Sequence, residues 1–226
     1  MFACAYIMQL NMYPRKLARR KLPIRMINTI LNKEIEELME YRQVMKIPKY
    51  CKLYERAYSK ELRRLAQGIP GQSEGTGTLL FIEKSSILVD RWRHITYGRV
   101  VVNYRPEKDD PYRVRLCVGC DRLHCPWDCG TPTVEMLTVK LLWNSIVATP
   151  NAKFISIDIK DFYLNTPKHR YEYKRLKSSH LPDNVIRQYN LRENITKDGY
   201  VRTEICRGMY GIRSAVILAQ RHLKND

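Results

Sequence analysis

Two carboxylates at the end of an apolar run are the first residues in this chain whose types and spacing suit chemistry. The run is KFISID, residues 153–158, and Asp161 follows it closely. Phe154, Ser156 and Asp158 alternate with Ile155 and Ile157, which is the two-residue period of a strand. A carboxylate emerging from the end of a buried strand is well placed to hold a hard cation such as magnesium. Phosphoryl transfer uses such cations to neutralise charge and to align the attacking oxygen. The plainer reading is that a strand-terminal Asp turns or caps the chain.

A second candidate is CVGCDRLHCPWDC, which gathers Cys117, Cys120, His124, Cys125 and Cys129. Four thiolates, or three with His124, could hold zinc tetrahedrally, and such a site would bind single-stranded nucleic acid. The spacing Cys-x2-Cys-x3-His-x4-Cys is one residue short of a zinc knuckle, which argues against zinc. Cys4, Cys51 and Cys206 have no ligand spacing and read as small hydrophobes. The glycine-rich segment GIPGQSEGTGT is a loop and not a phosphate cradle, because no Lys-Ser/Thr follows the glycines.

The elements that must position these residues follow from pattern. Apolar residues from Ile30 to Met45 sit near helical spacing, and Pro48 closes that helix. A second helix is expected over Leu53–Leu65. TLLFIE, YGRVVVNY and RVRLCV read as strands, with the loop RPEKDDPY between the last two. Thr131-Pro132 reads as the cap and first position of a helix through VEMLTVKLLWNSIVA, which Pro150 ends. KFISID is the next strand, followed by YEYKRL and YVRTEIC with a short helix near LPDNVIRQY between them. The tail after Gly211 is helical. Asp109 and Asp110, before Pro111, form a turn.

Composition bounds the partners. The 226 residues are 44% hydrophobic, so a real core is expected. Forty Lys and Arg against 23 Asp and Glu leave a net charge of +17, which favours a polyanion through attraction and counterion release. Fifteen tyrosines add stacking capacity. The basic stretch PRKLARRKLPIR is a nuclear address, a nucleic-acid arm or a stretch with no selected role. No apolar run reaches the roughly 18 residues of a membrane helix. The opening MFACAYIMQL lacks a basic start and a clean cleavage site. An intracellular protein, cytoplasmic or nuclear and not secreted, with no membrane partner and reduced thiols, is therefore expected.

Several blocks together resemble the reverse transcriptase of copia-type retrotransposons. FISIDIKDFYLNTP is similar to that family's first catalytic motif. YERAYSKELRRL resembles its early helix, DPYRVRLCVGCDR a fingers strand, and CGTPTVEMLTVKLLWNSIVAT the helix before the first catalytic strand. CRGMYGIRSAVILAQ resembles a later motif with a Tyr-Gly pair. The blocks fall in family order over roughly residues 50–220. The resemblance implies an α+β fold, with an antiparallel sheet and packed helices as partial fingers and palm. Residues 1–27 would be a basic leader, 28–148 a fingers-like region and 149–226 an incomplete palm. It implies RNA-directed DNA polymerisation on an RNA or DNA primer–template with deoxynucleotides and magnesium. Asp158 would be the catalytic, metal-binding carboxylate, and the Ile159 carbonyl would touch a metal. Tyr163 would gate the sugar, and Arg113 or Arg115 would meet the triphosphate. Association with other element-encoded proteins is also implied.

The chain departs from that family in three places. Ser214 stands where the family has a Gln that positions nucleotide and template, and a hydroxyl cannot make the same contacts. The cysteines fall inside the fingers block, where relatives have non-ligand residues. The Tyr-x-Asp-Asp carboxylates expected downstream do not occur, so a two-metal site is incomplete. The expectation is a truncated reverse-transcriptase fragment, inactive alone. The rivals are a non-enzymatic nucleic-acid-binding protein, with or without zinc at 117–129, and a relic whose sheet edge is left unpaired.

Overall fold

Runs rich in valine, isoleucine and tyrosine become the main strands of this chain, as their shape on a pleated surface favours. The computed structural model describes residues 30–32, 37–119, 121, 123, 134–155, 157 and 159–225. In order, the elements are β1 Ile30–Asn32, β2 Glu37–Met39, α1 Tyr41–Val44, α2 Pro48–Leu65, β3 Gly68–Ile69, β4 Ser73–Glu74 and β5 Leu79–Ile82. They continue with β6 Thr96–Tyr104, β7 Tyr112–Val118, α3 Met136–Ala148, β8 Pro167–Lys177, α4 Asp183–Gln188, β9 Tyr200–Arg207 and α5 Arg213–Asn225. The fold is α+β. Its main sheet has five strands in the order β5-β9-β8-β6-β7.

Three expectations are corrected. The helix over Ile30–Met45 is instead an antiparallel strand pair, with Ile30 opposite Met39 and Leu31 opposite Leu38. Apolar residues set opposite one another satisfy the same pattern as a helical stripe, and Glu40, extended at φ −80° and ψ 164°, separates the pair from the short α1. Pro48 opens α2 and does not close a preceding helix, which suits a residue with no N–H to donate. KFISID forms no strand among its described residues. A strand needs a hydrogen-bonded neighbour, and the sheet order gives this segment none. The sheet is also mixed: β6 runs parallel to β8, with Thr96 opposite Lys174 and Tyr97 opposite Arg175.

The described residues divide into two units. The first takes those up to Glu61 together with Arg99–Leu116. Its part of α2 buries Tyr54, Ala57 and Tyr58 at helical spacing. Tyr58 meets Tyr41 edge-on at 5.2 Å, and Tyr54 meets Tyr112 at 5.3 Å. Burial pushes the phenols of Tyr41, Tyr54 and Tyr58 up, so all three stay neutral at any ordinary pH. Val114 and Leu116 are buried on β7, while Arg113 and Arg115 alternate with them on a half-buried face.

The second unit takes Leu62–Gly98 and the described residues from Cys117 on. β9 pairs antiparallel with β5 on one side and with β8 on the other. Val201, Thr203 and Ile205 alternate toward a buried face shared with Leu79 and Leu176. Tyr173 faces the other way and packs with Ile87 and Ile95, with Ile82 against them.

A buried ion network ties the 3-10 turn Val89–His94 to β8. Arg91 Nη2 donates to Glu172 Oε2 at 2.8 Å and to the Tyr171 carbonyl at 2.9 Å, and its guanidinium lies over the Tyr173 ring. Lys168 Nζ is 3.9 Å from the other Glu172 oxygen. Desolvation lowers the Lys168 ammonium pKa, against the pull of Glu172. Removing one partner strands a buried charge. Arg91→Ala is therefore expected to lower the unfolding free energy by about 3–5 kcal/mol, with the loss largely recovered in Arg91→Met/Lys168→Met/Glu172→Leu, which removes all three charges. Urea denaturation of these variants beside the wild type checks this, and equal losses in the single and triple variants would remove the network from the account.

Candidate nucleic-acid interface

The second unit brings together two segments that carry candidate site residues. After the KFISID run the chain turns tightly: the Asn165 N–H donates to the Asp161 carbonyl at 3.0 Å and the Thr166 N–H to the Tyr163 carbonyl at 3.2 Å. The Thr166 hydroxyl also donates to the Phe162 carbonyl at 3.0 Å. Asp161 takes φ 55°, a left-handed conformation that Asp tolerates better than most residues. Its carboxylate is ion-paired with Arg64 near the end of α2. Tyr163 is half-buried, with its ring 5.5 Å from that of Phe162.

This turn meets the connection between β9 and α5 at Gly208. The Gly208 N–H donates to the Thr166 carbonyl at 2.9 Å. A Cβ on Gly208 would lie 2.3 Å from the Tyr163 carbonyl oxygen and 3.4 Å from the Ala215 Cβ. Tyr163 and the half-buried Ser214 are thus carried on neighbouring segments. The Tyr210-Gly211 turn is docked on the end of β7, where the Val118 N–H donates to the Tyr210 carbonyl at 2.8 Å. Gly211 has φ 93°, and a Cβ there would sit 2.3 Å from the Val118 carbonyl oxygen.

Asp158 lies outside the described residues, as do Cys120, His124, Cys125 and Cys129. Of the described neighbours a magnesium ion would need, Ile159 is 45% exposed and Asp161 is engaged by Arg64. Among the described residues no three of His, Cys, Asp or Glu converge as a metal cluster. Cys117 is a half-buried thiol near the end of β7. Arg113 and Arg115 belong to the first unit and share one face of β7.

A cationic, aromatic array on β8 and β9 was not singled out in the sequence. Arg175 stands directly opposite Arg202. Both guanidiniums lie over the Tyr200 ring, at 4.9 Å and 5.8 Å from its centre. A carboxylate pairs with one of them: Arg202 Nη2 donates to Asp198 Oδ2 at 2.9 Å. Arg202 is buried, and its Nε and Nη1 have no hydrogen-bond partner. A hydrogen bond from Thr196, followed by Arg202, holds the Asp198 carboxyl below its usual range. Like charges opposite one another destabilise a ladder, so this arrangement favours a further anion. Alternation in YEYKRL and YVRTEIC assigns each arginine a side of its strand. The pairing register that sets them opposite is not visible in either segment alone.

Farther along the same face of β9, burial pushes the Cys206 thiol up to about 11, with Glu204 adding to the shift. No helix among the described residues is long and apolar enough to cross a membrane. Compared with protein-family models, with curated proteins and with solved structures, the chain matches none of them.

Gly211 and Gly77 separate steric clash from backbone preference. Both have positive φ, but nothing lies within 4 Å of a Cβ at Gly77. Gly77→Ala is expected to lose about 1–2 kcal/mol of stability from conformation alone. Gly211→Ala should lose at least about 2 kcal/mol more, because the added methyl meets backbone. Denaturant titration of both variants checks the difference, and equal losses would mean that the Tyr210-Gly211 turn is not held against Val118.

Proposed function

We propose that this chain is a relative of copia-type reverse transcriptases that binds an RNA or DNA primer–template without polymerising on its own. The observation that carries the binding is the Arg175–Arg202–Tyr200 array, where two guanidiniums share one ring and Asp198 pairs with Arg202. Guanidinium N–H edges suit phosphate oxygens, and an aromatic face suits unpaired bases. The net charge of +17 supplies the long-range attraction.

The lineage rests on the resemblance of the sequence blocks. Asp158, the Ile159 carbonyl and magnesium would be its catalytic elements, with Tyr163 at the deoxynucleotide sugar. The loss of polymerisation rests on Ser214 in place of Gln. In the described residues Asp161 is held by Arg64, which leaves it neutralised and not a second metal ligand.

Single-stranded RNA is expected to bind with an affinity that falls linearly in log–log terms as salt rises. Arg175→Ala should weaken binding across sequences and reduce the magnitude of the salt slope by about 0.7–1. Fluorescence anisotropy over a salt series measures both, and an unchanged slope would take Arg175 out of the interface. Purified chain given primer–template, deoxynucleotides and magnesium should yield no extended product; extension abolished by Asp158→Asn would overturn the inactive reading.

A further inference from the structure

The segment from Val134 to Ile159 is apolar, yet it has no core. Eleven of the 18 large hydrophobic side chains that stand exposed among the described residues fall within it. Helix α3 buries none of its residues. Leu137 and Leu141 are 64% and 59% exposed on one side, and Met136 and Val147 are 65% and 83% exposed on another. A helix with apolar side chains on more than one side is normally buried by neighbours. The described residues after it continue the surface, with Ile155 at 78% and Ile157 at 71%. Trp143 and Phe154, with ring centres 4.7 Å apart, join helix and stretch into one patch.

The size and charge of the patch indicate what covers it. Side chains of this kind present roughly 150–200 Å² each, so eleven that are about half exposed or more amount to on the order of 1,000 Å². Large patches on monomers reach roughly 300–600 Å², whereas each side of a stable protein–protein interface buries about 800 Å². Charge is sparse among the described residues of the segment, with Lys140 and Lys153 against Glu135, in a chain of net charge +17. A patch so nearly neutral offers a polyanion little attraction. It does let two strongly basic chains meet without like charges in the contact.

We infer that the described residues between Val134 and Ile159 form the interface of a homodimer, in which the α3 segments of two copies cover one another. A closed two-fold pairing is the commonest way for one patch to be satisfied by itself. The reading is independent of nucleic-acid binding, and its test contains none.

The full chain is examined by sedimentation velocity over a concentration series, beside Leu141→Glu and Val147→Glu. The wild type is expected to sediment as two chains, and each variant to raise the dimer dissociation constant by roughly thirtyfold or more. Circular dichroism confirms that the variants remain folded. Hydrogen exchange of the wild type at high and low concentration provides a readout that needs no variant, and protection of 136–157 should fall on dilution. A monomeric wild type, a dimer unmoved by either substitution, open-ended aggregation without a discrete dimer, or protection that is independent of concentration would each overturn the proposal.

Discussion

Strand β9 is hydrogen-bonded on both flanks, and its register is the constraint on which the second unit depends. Its pairing with β5 and β8 sets Ile205 between Leu79 and Glu172, and Thr203 between Phe81 and Lys174. A slip of one residue would turn Val201, Thr203 and Ile205 away from the core and drive Arg202 and Glu204 into it. The same register places Arg175 opposite Arg202 and both over Tyr200. Core and cationic surface are therefore two sides of one pairing decision, and neither can be altered without the other.

Most elements were legible because their residues carry a local period. The alternation in RVRLCV gave β7 its buried Val114 and Leu116 and its outward Arg113 and Arg115. The spacing of Tyr54, Tyr58 and Leu62 gave α2 its buried stripe. KFISID has the same kind of alternation and forms no strand among its described residues. A strand is completed by a neighbour, and nothing within six residues reveals whether that neighbour exists. The Ile30–Met45 window was misread for a related reason: antiparallel pairing of Ile30 with Met39 unites apolar residues as a helix turn would.

The candidate site was legible to the extent that its residues lie in one segment. Tyr163 and Ser214 were marked from separate motifs, and their segments do converge at Gly208. The ion pair between Arg64 and Asp161 was not foreseeable, because a long stretch of chain separates its partners. It changes the chemistry of the carboxylate, since an Asp neutralised by a guanidinium is a poor ligand for a cation. The buried Arg91–Glu172 pair was hidden in the same way. Charge totals announced an excess of cations, but only packing decides which are neutralised within the protein and which remain for a partner.

The parallel pairing of Thr96 with Lys174 and of Tyr97 with Arg175 has a consequence for how the chain acquires its structure. Antiparallel neighbours β8 and β9 are joined by a modest excursion through α4, whereas β6 reaches β8 only after the chain has passed through β7 and α3. The loop entropy of that long closure must be met before its few hydrogen bonds form. Local hairpins therefore assemble first, and the junction of β6 with β8 is a late event on the folding route. Until that junction closes, one edge of β8 is unpaired, and an unpaired strand edge is a template for any other extended chain.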